Sequence, residues 1–437
     1  MTEVFVHPDV TELRQSRRQR ICVHLYGAKP QPGQAAIGGP IPSVLSRVTT
    51  PLDPTAFDFL SISMAVTAAD TFVNREIAAD GWVRDIDLKV AVQDPARWQP
   101  VIPTLEKALR FLSGDSWRLS VLSGGVPPPA SRPRVHYKIK LEEAEAACLF
   151  SGGLDSAIGV LNLLEQEHKL VLVSHAYPND ASRQREILRH LPNPIPRLPL
   201  HASPKGDLGT ANDVQMRTRS FNFLAMGTLG AATIARRTGQ RVPLFIPENG
   251  LIAMNPPLTS RRIGALSTRT THPHYLGLMQ QVLDGVGIPV FIENPFAFMT
   301  KGEMIRDCHQ RGLLASFASK TVSCGKWKRT HEQCGKCVPC IIRRSSFHAA
   351  NVRGLKDGTD YRDPAKDLSK VFDYDTDLDD LMATMIASRR LPDLDIASWI
   401  AKSGPLPDDL AVKEALVDVV KRGMGEVRAY LASERLI

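Results

Sequence analysis

The chain has no run of about 18 uncharged apolar residues, so no transmembrane helix is expected. The opening stretch, MTEVFVHPDVTELRQSRRQR, has no apolar signal-peptide core, and cytoplasmic residence is the expectation. No internal repeat is visible, which sets aside a repeat architecture. A continuous basic face is also lacking. Net charge is +8 over 437 residues, arginine is dispersed, and the dense basic stretches are confined to 14–20 and 326–329. Such a balance is compatible with an anionic partner such as nucleotide, nucleic acid or an acidic protein. A solvated surface carrying some nucleotide-binding arginines is the simpler account, and a nucleic-acid groove is only weakly supported. Disulfides are not expected. Of seven cysteines, Cys22, Cys148 and Cys308 stand alone, while four cluster near 324–340, and a cluster in a cytosolic chain argues for metal.

What is present is an ordinary globular composition, 43% hydrophobic and 23% charged, long enough for two or three domains. Residues 1–125 read as an α+β unit, with strands at 20–26, 83–92 and 117–122 and helices at 57–73 and 101–112. The run Gly124-Gly125-Val126-Pro127-Pro128-Pro129 opens a Pro/Gly-rich linker assigned to 126–140. Strands and helices then alternate over 141–350. Strands are expected at 146–150, 170–174, 242–246 and 289–293, and helices near 182–190, 216–237 and 275–285. That alternation predicts βαβ units, a parallel sheet, and a ligand site beyond the carboxyl ends of its strands. Residues 351–437 read as a helical extension (368–387, 395–401 and 411–431) with no evident chemistry, packing on the core or on a partner.

The most informative segment is Ser151-Gly152-Gly153-Leu154-Asp155-Ser156. It lies between an apolar strand and a run with Leu154, Ile158, Leu161 and Leu164 on one helical face. The two glycines allow a sharp bend and close approach of backbone to a ligand. The first N–H groups of the helix have no intrahelical partner, and its dipole favours an anion there. Ser151 and Ser156 add hydroxyls. No lysine follows the glycines, so this phosphate cradle is not the GxxxxGK[ST] kind. Asp155 is a poor phosphate ligand by charge. It is expected to hold Mg²⁺ or to fix the loop by accepting N–H bonds. Cys148, three residues earlier in a buried strand, is a poor nucleophile candidate.

Cys324, Cys334, Cys337 and Cys340 are spaced C-x9-C-x2-C-x2-C. Four thiolates with two short spacers suit a closed, structural tetrahedral zinc site. An iron–sulfur cluster is the competing reading.

The string SGGLDS resembles the SGGxDS signature of PP-loop ATP pyrophosphatases, which cut ATP between the α and β phosphates and transfer AMP. About 170 residues later come Ser323-Cys324 and Cys334-Gly335-Lys336-Cys337-Val338-Pro339-Cys340-Ile341-Ile342-Arg343, with Phe347 beyond. The pair of motifs resembles 7-cyano-7-deazaguanine synthase, the QueC family. Looser likenesses are Tyr177, Gln184 and Glu186 to a YGQRxxxE segment, and Arg219 with Ser220 to RNxxFL. Lys301-Gly302-Glu303-Met304-Ile305 resembles KxEI, whose lysine sits near the phosphates. The resemblance covers roughly 145–350. It implies a Rossmann-like (adenine nucleotide α-hydrolase-like) parallel sheet with a four-cysteine zinc knuckle. It also implies ATP, Mg²⁺ and Zn²⁺ as cofactors and a 7-deazaguanine carboxylate as substrate. On that basis Ser151, Gly152, Gly153, Leu154 and Ser156 hold the leaving pyrophosphate. Lys301 and Arg219 neutralise charge as the α–β bond breaks, and positioning supplies much of the rest.

One departure stands out. The family's YPDCR segment is absent, and the stretches Pro247 to Asn255 and Ser267 to Pro273 stand in its place. They are rich in side chains that bond nucleotides or bases, although Asn249-Gly250 could simply be a turn. The added N-terminal unit and tail resemble the QueC-like proteins of bacterial anti-phage operons, most closely the QatC group of the Qat system. That layout implies a protein partner from the same operon. Three acceptors remain open for the acyl group: ammonia, giving an amide and then a nitrile, an amine on the partner protein, or nucleic acid. An RNA-modifying PP-loop enzyme and a nucleotide-binding sensor without turnover are the alternatives of other classes.

Overall fold

Aliphatic residues concentrate in short runs of the N-terminal half, and Val4, Val6, Val23, Ile86, Leu88 and Val90 are fully buried. In this computed structural model the runs become strands Thr2–His7 (β1), Arg20–Gly27 (β2), Ala35–Gly38 (β3), Asp85–Ala91 (β4) and Ser116–Leu122 (β5). The structure describes every residue except 15–19, 79, 133–136, 176–177, 210–211, 214–215, 260–268, 328–330, 364 and 372–377. The five strands pair in parallel in the order β5-β4-β1-β2-β3, and Lys205–Gly206 (β9) adds an antiparallel edge. The unit expected to be α+β is therefore built on a parallel sheet, with antiparallel pairing limited to one two-residue edge.

The second sheet carries Ala146–Leu149 (β6), Leu170–His175 (β7), Arg197–Leu200 (β8), Val242–Phe245 (β10) and Val290–Glu293 (β11). All its pairings are parallel and the order is β11-β10-β6-β7-β8. Every residue of β6 and β7 is buried, as expected for strands covered on both faces. The chain leaves β6 towards β7 and β8, then crosses back to β10. The strand order thus reverses beside β6, which is where an open parallel sheet forms its ligand crevice.

Helices fill the space between the sheets. Pro54–Phe72 (α1) starts at Asp53, whose side chain accepts from the Ala56 N–H, with Pro54 pre-set for the first turn. It is buried over nearly its whole length, and its Asp58, Thr67 and Asp70 find hydrogen-bond or ion-pair partners there. It packs across Arg219–Thr238 (α5), where Asn222 Nδ2 donates to Thr67 Oγ1 at 3.0 Å. Ile102–Ser113 (α2) packs on Pro273–Gly285 (α7) in the same layer. One continuous apolar core therefore includes Val6, Phe59, Leu105, Val171, Leu229 and Met279. The other face of the second sheet is covered by Leu154–Glu165 (α3), Lys301–Arg306 (α8) and Arg311–Phe317, around Cys148, Phe150, Ile158, Met304 and Phe317. The expected packed-core role of Cys148 holds, and burial raises its thiol well above the ordinary range.

The tail forms its own apolar layer. Leu410–Ser433 (α10), Asp379–Arg390 and Ile396–Ala401 pack on Gly250–Met254 (α6) and Val338–Ala350 (α9). The single helix expected at 368–387 is a 3₁₀ turn, Leu368–Lys370, and the helix Asp379–Arg390, with 372–377 outside the described residues.

Charged residues also join the halves. Arg84 Nη2 lies 2.5 Å from Asp70 and 2.7 Å from Asp115, and Arg75 Nη1 lies 2.6 Å from Asp115, all buried. The other oxygen of Asp70 accepts from the Thr218 N–H and hydroxyl at 2.7 and 2.8 Å. Thr218 is the residue on which α5 starts. An N-terminal carboxylate thereby fixes the beginning of the helix that carries Arg219.

Candidate nucleotide site and cysteine centre

The turn after β6 is held from three sides. Phe150 N–H donates to Val173 O at 2.8 Å, Gln184 Nε2 donates to Ser151 O at 3.2 Å, and Val322 N–H donates to Gly152 O at 3.1 Å. Gln184 comes from Pro178–Leu188 (α4) and is itself held by Arg197 at 3.3 Å. Gly152 has φ +83°, and a β-carbon there would lie 3.1 Å from Gln184 Cγ. Glycine at this position is needed for both conformation and space. Helix α3 begins after Gly153, which has no side chain to cap it. The first N–H groups of the helix therefore face the mouth of the crevice without intrahelical acceptors. The hydroxyls of Ser151 and Ser156 lie 3.1 Å apart, Ser156 donates to Gly153 O at 3.0 Å, and Ser151 accepts from the Gly153 N–H at 3.2 Å. The uncapped first turn and the helix dipole beside these hydroxyls make the spot favourable for an anion, a candidate anion cradle.

Asp155, in the first turn of α3, is buried in a polar cluster. Lys301 Nζ is 2.9 Å from Asp155 Oδ1. Asn249 donates its main-chain N–H at 3.1 Å and its side-chain amide at 2.7 Å to Oδ2. Burial by itself would raise this carboxyl, but the Lys301 charge and these hydrogen bonds hold it below the ordinary aspartate value. The neighbouring Glu248 carboxyl is pushed the other way, well above its ordinary range, by burial and by the Asp155 charge. Two acids that share a buried site with a single cation are driven in opposite directions in this way.

Asp155 accepts N–H groups from Asn249 rather than from its own loop, and both its oxygens are engaged by Lys301 and Asn249. Lys301, 5% exposed, is aimed at Asp155. Arg219, at the first position of α5, pairs with Asp180 at 3.7 Å. Asn249 is not merely a turn residue, because its side chain also accepts from the Ile252 N–H and caps α6. Arg269 and His272 pack on Phe111 of α2, and His272 caps α7. Burial lowers the His272 imidazole to about 3. Tyr177, Ser267 and Thr268 lie outside the described residues.

The sequence marks Glu248 and Asn249 only as members of a polar stretch. Their place just past the carboxyl end of β10, beside the strand-order reversal, is the signal that singles them out.

The four cysteines converge. Their sulfurs all lie within 4.8 Å of one another, and Cys324 and Cys337 are 3.9 Å apart. A tetrahedral zinc with bonds of about 2.3 Å places its sulfurs roughly 3.8 Å apart, so the set fits one ion. A multi-iron cluster interposes iron and sulfide between the thiolates and needs a wider spread. Main-chain N–H groups of Lys326 and Cys334 approach Cys324 Sγ at 3.4 and 3.3 Å, and that of Cys337 approaches Cys334 Sγ at 3.4 Å, as thiolates require.

Arg343 ties this knuckle to the loop. It is fully buried, and it donates to Asp357 at 2.7 Å, Thr321 Oγ1 at 2.7 Å and Ala318 O at 2.7 Å. Gln333 bonds Thr321 O at 3.0 Å and accepts from the Ser323 N–H at 3.1 Å. Segment 321–323, so held, is the one whose Val322 supports Gly152. The cysteine centre is thus a structural prop one segment away from the anion cradle.

No helix among the described residues is long and apolar enough to cross a membrane. The family described as queuosine biosynthesis protein QueC matches residues 271–351, a segment that holds Lys301 and all four cysteines. A 7-cyano-7-deazaguanine synthase of Rhizobium rhizogenes is 37% identical over 87 residues, 20% of this chain and 33% of that protein. One from Saccharolobus solfataricus is 23% identical over 235 residues, 48% of this chain and 46% of that protein. The chain spans less than half the length of either relative. Parallel α/β architecture, a PP-loop-type turn at the switch point and a four-cysteine centre make the chain QueC-like.

Proposed function

We propose that the chain uses ATP to activate the carboxylate of a 7-deazaguanine, releasing pyrophosphate, and passes the acyl group from the resulting adenylate to an amine. The observation that carries the reading is the uncapped start of α3 at the strand-order reversal, with the Lys301–Asp155 pair beside it. A carboxylate oxygen attacks the α-phosphorus, the bond to the bridging oxygen breaks, and pyrophosphate leaves with the electron pair. Charge then builds on the β-phosphate. The N–H groups of Leu154 and Asp155 and the Ser151 hydroxyl, with Lys301 held close by Asp155, are the donors proposed to meet it. Arg219 adds charge from the start of α5. Among the described residues, the cysteines form the only group of three or more metal-type side chains. Mg²⁺ is therefore assigned to the triphosphate and its waters, with few protein ligands. The cysteines would hold zinc as structure, with no step of the reaction passing through it.

For the acceptor we favour an amine on a protein partner, within an anti-phage system of the QatC type. Support comes from the N-terminal sheet and the C-terminal helices, which lie outside the family-matched segment. The test is incubation with ATP, Mg²⁺ and 7-carboxy-7-deazaguanine. AMP and pyrophosphate are expected, and ADP as product would overturn the assignment. Mass spectrometry of co-expressed operon partners then identifies the acceptor. A partner heavier by the acyl group supports conjugation, and unmodified partners with free amide or nitrile make ammonia the acceptor.

A further inference from the structure

The C-terminal helix α10 reaches the candidate nucleotide site through one stripe of side chains. Val419, Arg422, Gly423 and Glu426 follow i, i+3, i+4, i+7 spacing and so share a face. That face meets both short helices from which Asp155 draws its partners. On the Asn249 side, a β-carbon at Gly250 would lie 2.7 Å from Val419 Cγ1, and one at Gly423 would lie 3.0 Å from Leu251 Cβ. On the Lys301 side, the Glu426 carboxylate accepts from the Thr300 hydroxyl and, at 3.2 Å, from the Gly302 N–H. Thr300 is the N-cap of α8 and Lys301 is its first residue. Arg422 completes the grip by pairing with Glu303, the capping-box acid of α8, and by donating to Phe298 O at 3.0 Å.

A six-residue helix has little stability of its own, so its placement depends on what it packs against. A β-carbon at Gly302 would lie 2.5 Å from Glu426 Oε1, so the acid sits directly on the backbone of the first turn.

We propose that Glu426 is a positioning residue for Lys301. From the tail it holds the start of α8 at the register in which the lysine amine meets Asp155 and the edge of the phosphate cradle. The tail is then an integral part of the site. This rests on the proposed ATP chemistry only for its consequence in turnover, because the placement of Lys301 can be read without it.

The test uses the full chain. Lys301 is labelled in the folded protein with a small amine-reactive acetyl ester, and the rate is mapped by peptide mass spectrometry. In the wild type the buried, paired amine reacts slowly. In Glu426→Ala, labelling should be about ten-fold faster or more, while Glu426→Gln, which keeps one acceptor and can donate to Thr300, should stay near wild type. Where alanine leaves too little folded protein, Glu426→Leu fills the space and still lacks acceptors. Leu431→Ala, a cavity in the tail's own core, controls for general loosening. The same series is read in AMP formation. Glu426→Ala should lower kcat about ten-fold, leave KM for ATP within about two-fold, and be rescued by Gln. Wild-type labelling in the alanine and leucine variants would overturn the inference. Labelling of Leu431→Ala as fast as Glu426→Ala would overturn it too. If no variant, wild type included, forms AMP, the proposed chemistry falls while the labelling result still decides the role of Glu426.

Discussion

Lys301 Nζ stands 2.9 Å from Asp155 Oδ1, joining the first turn of α8 to the first turn of α3 across 146 residues of sequence (301 − 155). Two charges that sequence motifs assign to separate tasks thus neutralise one another in a buried cluster. Lys301→Met strands the Asp155 carboxylate and should cost about 3–5 kcal/mol of stability. Adding Asp155→Asn removes the stranded charge and should recover most of that loss, with AMP formation still abolished. Urea denaturation of the two variants checks this, and a double variant no more stable than the single would contradict it.

The left-handed backbone of Gly152 is expected to be indispensable. Gly152→Ala carries about 1–2 kcal/mol of conformational strain and presses a methyl against Gln184. ATP affinity, measured calorimetrically, should fall at least about ten-fold as the turn shifts, while the apolar cores away from it keep most of the thermal stability. An alanine variant that binds ATP normally would show that the turn is not the phosphate cradle.

Stability should carry a pH signature from Glu426. Burial raises its carboxyl to about 7, with the Glu303 charge adding to the effect and the Thr300, Gly302 and Arg422 contacts opposing it. In the unfolded chain the group ionises near about 4.3. Between those values the folded protein binds the extra proton, so stability from this group is greatest at low pH, declines as pH rises through the window, and levels off above about 7. Glu426→Gln lacks the slope. The stability difference, wild type minus Gln, should therefore fall across the same window, from about 4.3 to about 7, in urea titrations. A difference independent of pH would show that Glu426 ionises normally.

The cysteine centre predicts about one zinc per chain by elemental analysis. Cys340→Ser, or strong chelation, should release the metal and lower the melting temperature. It should also open 318–323 to proteolysis, because Arg343 and Gln333 tie that segment to the knuckle. Loss of metal without any change at 318–323 would separate the knuckle from the loop it is thought to prop.

Much of the architecture is readable because it is written in local patterns. The alternation from β6 onward follows from apolar runs separated by turn residues, whereas helix starts are less legible: the helix expected from 57 begins at Pro54 behind its Asp53 cap, and the short helix Lys301–Arg306 behind Thr300 is not among the helices expected. Short strands are harder to see. Thr2–His7 carries charge and histidine near its ends, and Ala35–Gly38 is only four residues long, so neither shows a period until a neighbouring strand pairs with it. The parallel pairing of the N-terminal sheet is likewise invisible, since strand direction depends on connections that no local window contains.

By itself the sequence determined the phosphate-type turn at Ser151–Ser156 and the four-thiolate centre, because each depends on residues a few positions apart with unmistakable chemistry. Only the tertiary structure decided whom those residues meet. Asp155 faces Lys301, Asn249 and Glu248, and a carboxylate 125 residues beyond Lys301 (426 − 301) takes the start of its helix. Contacts between distant segments are set by how layers of helix and sheet close upon one another. Burial and the neighbouring charges then push the two acids Asp155 and Glu248 in opposite directions, something that composition and spacing do not encode.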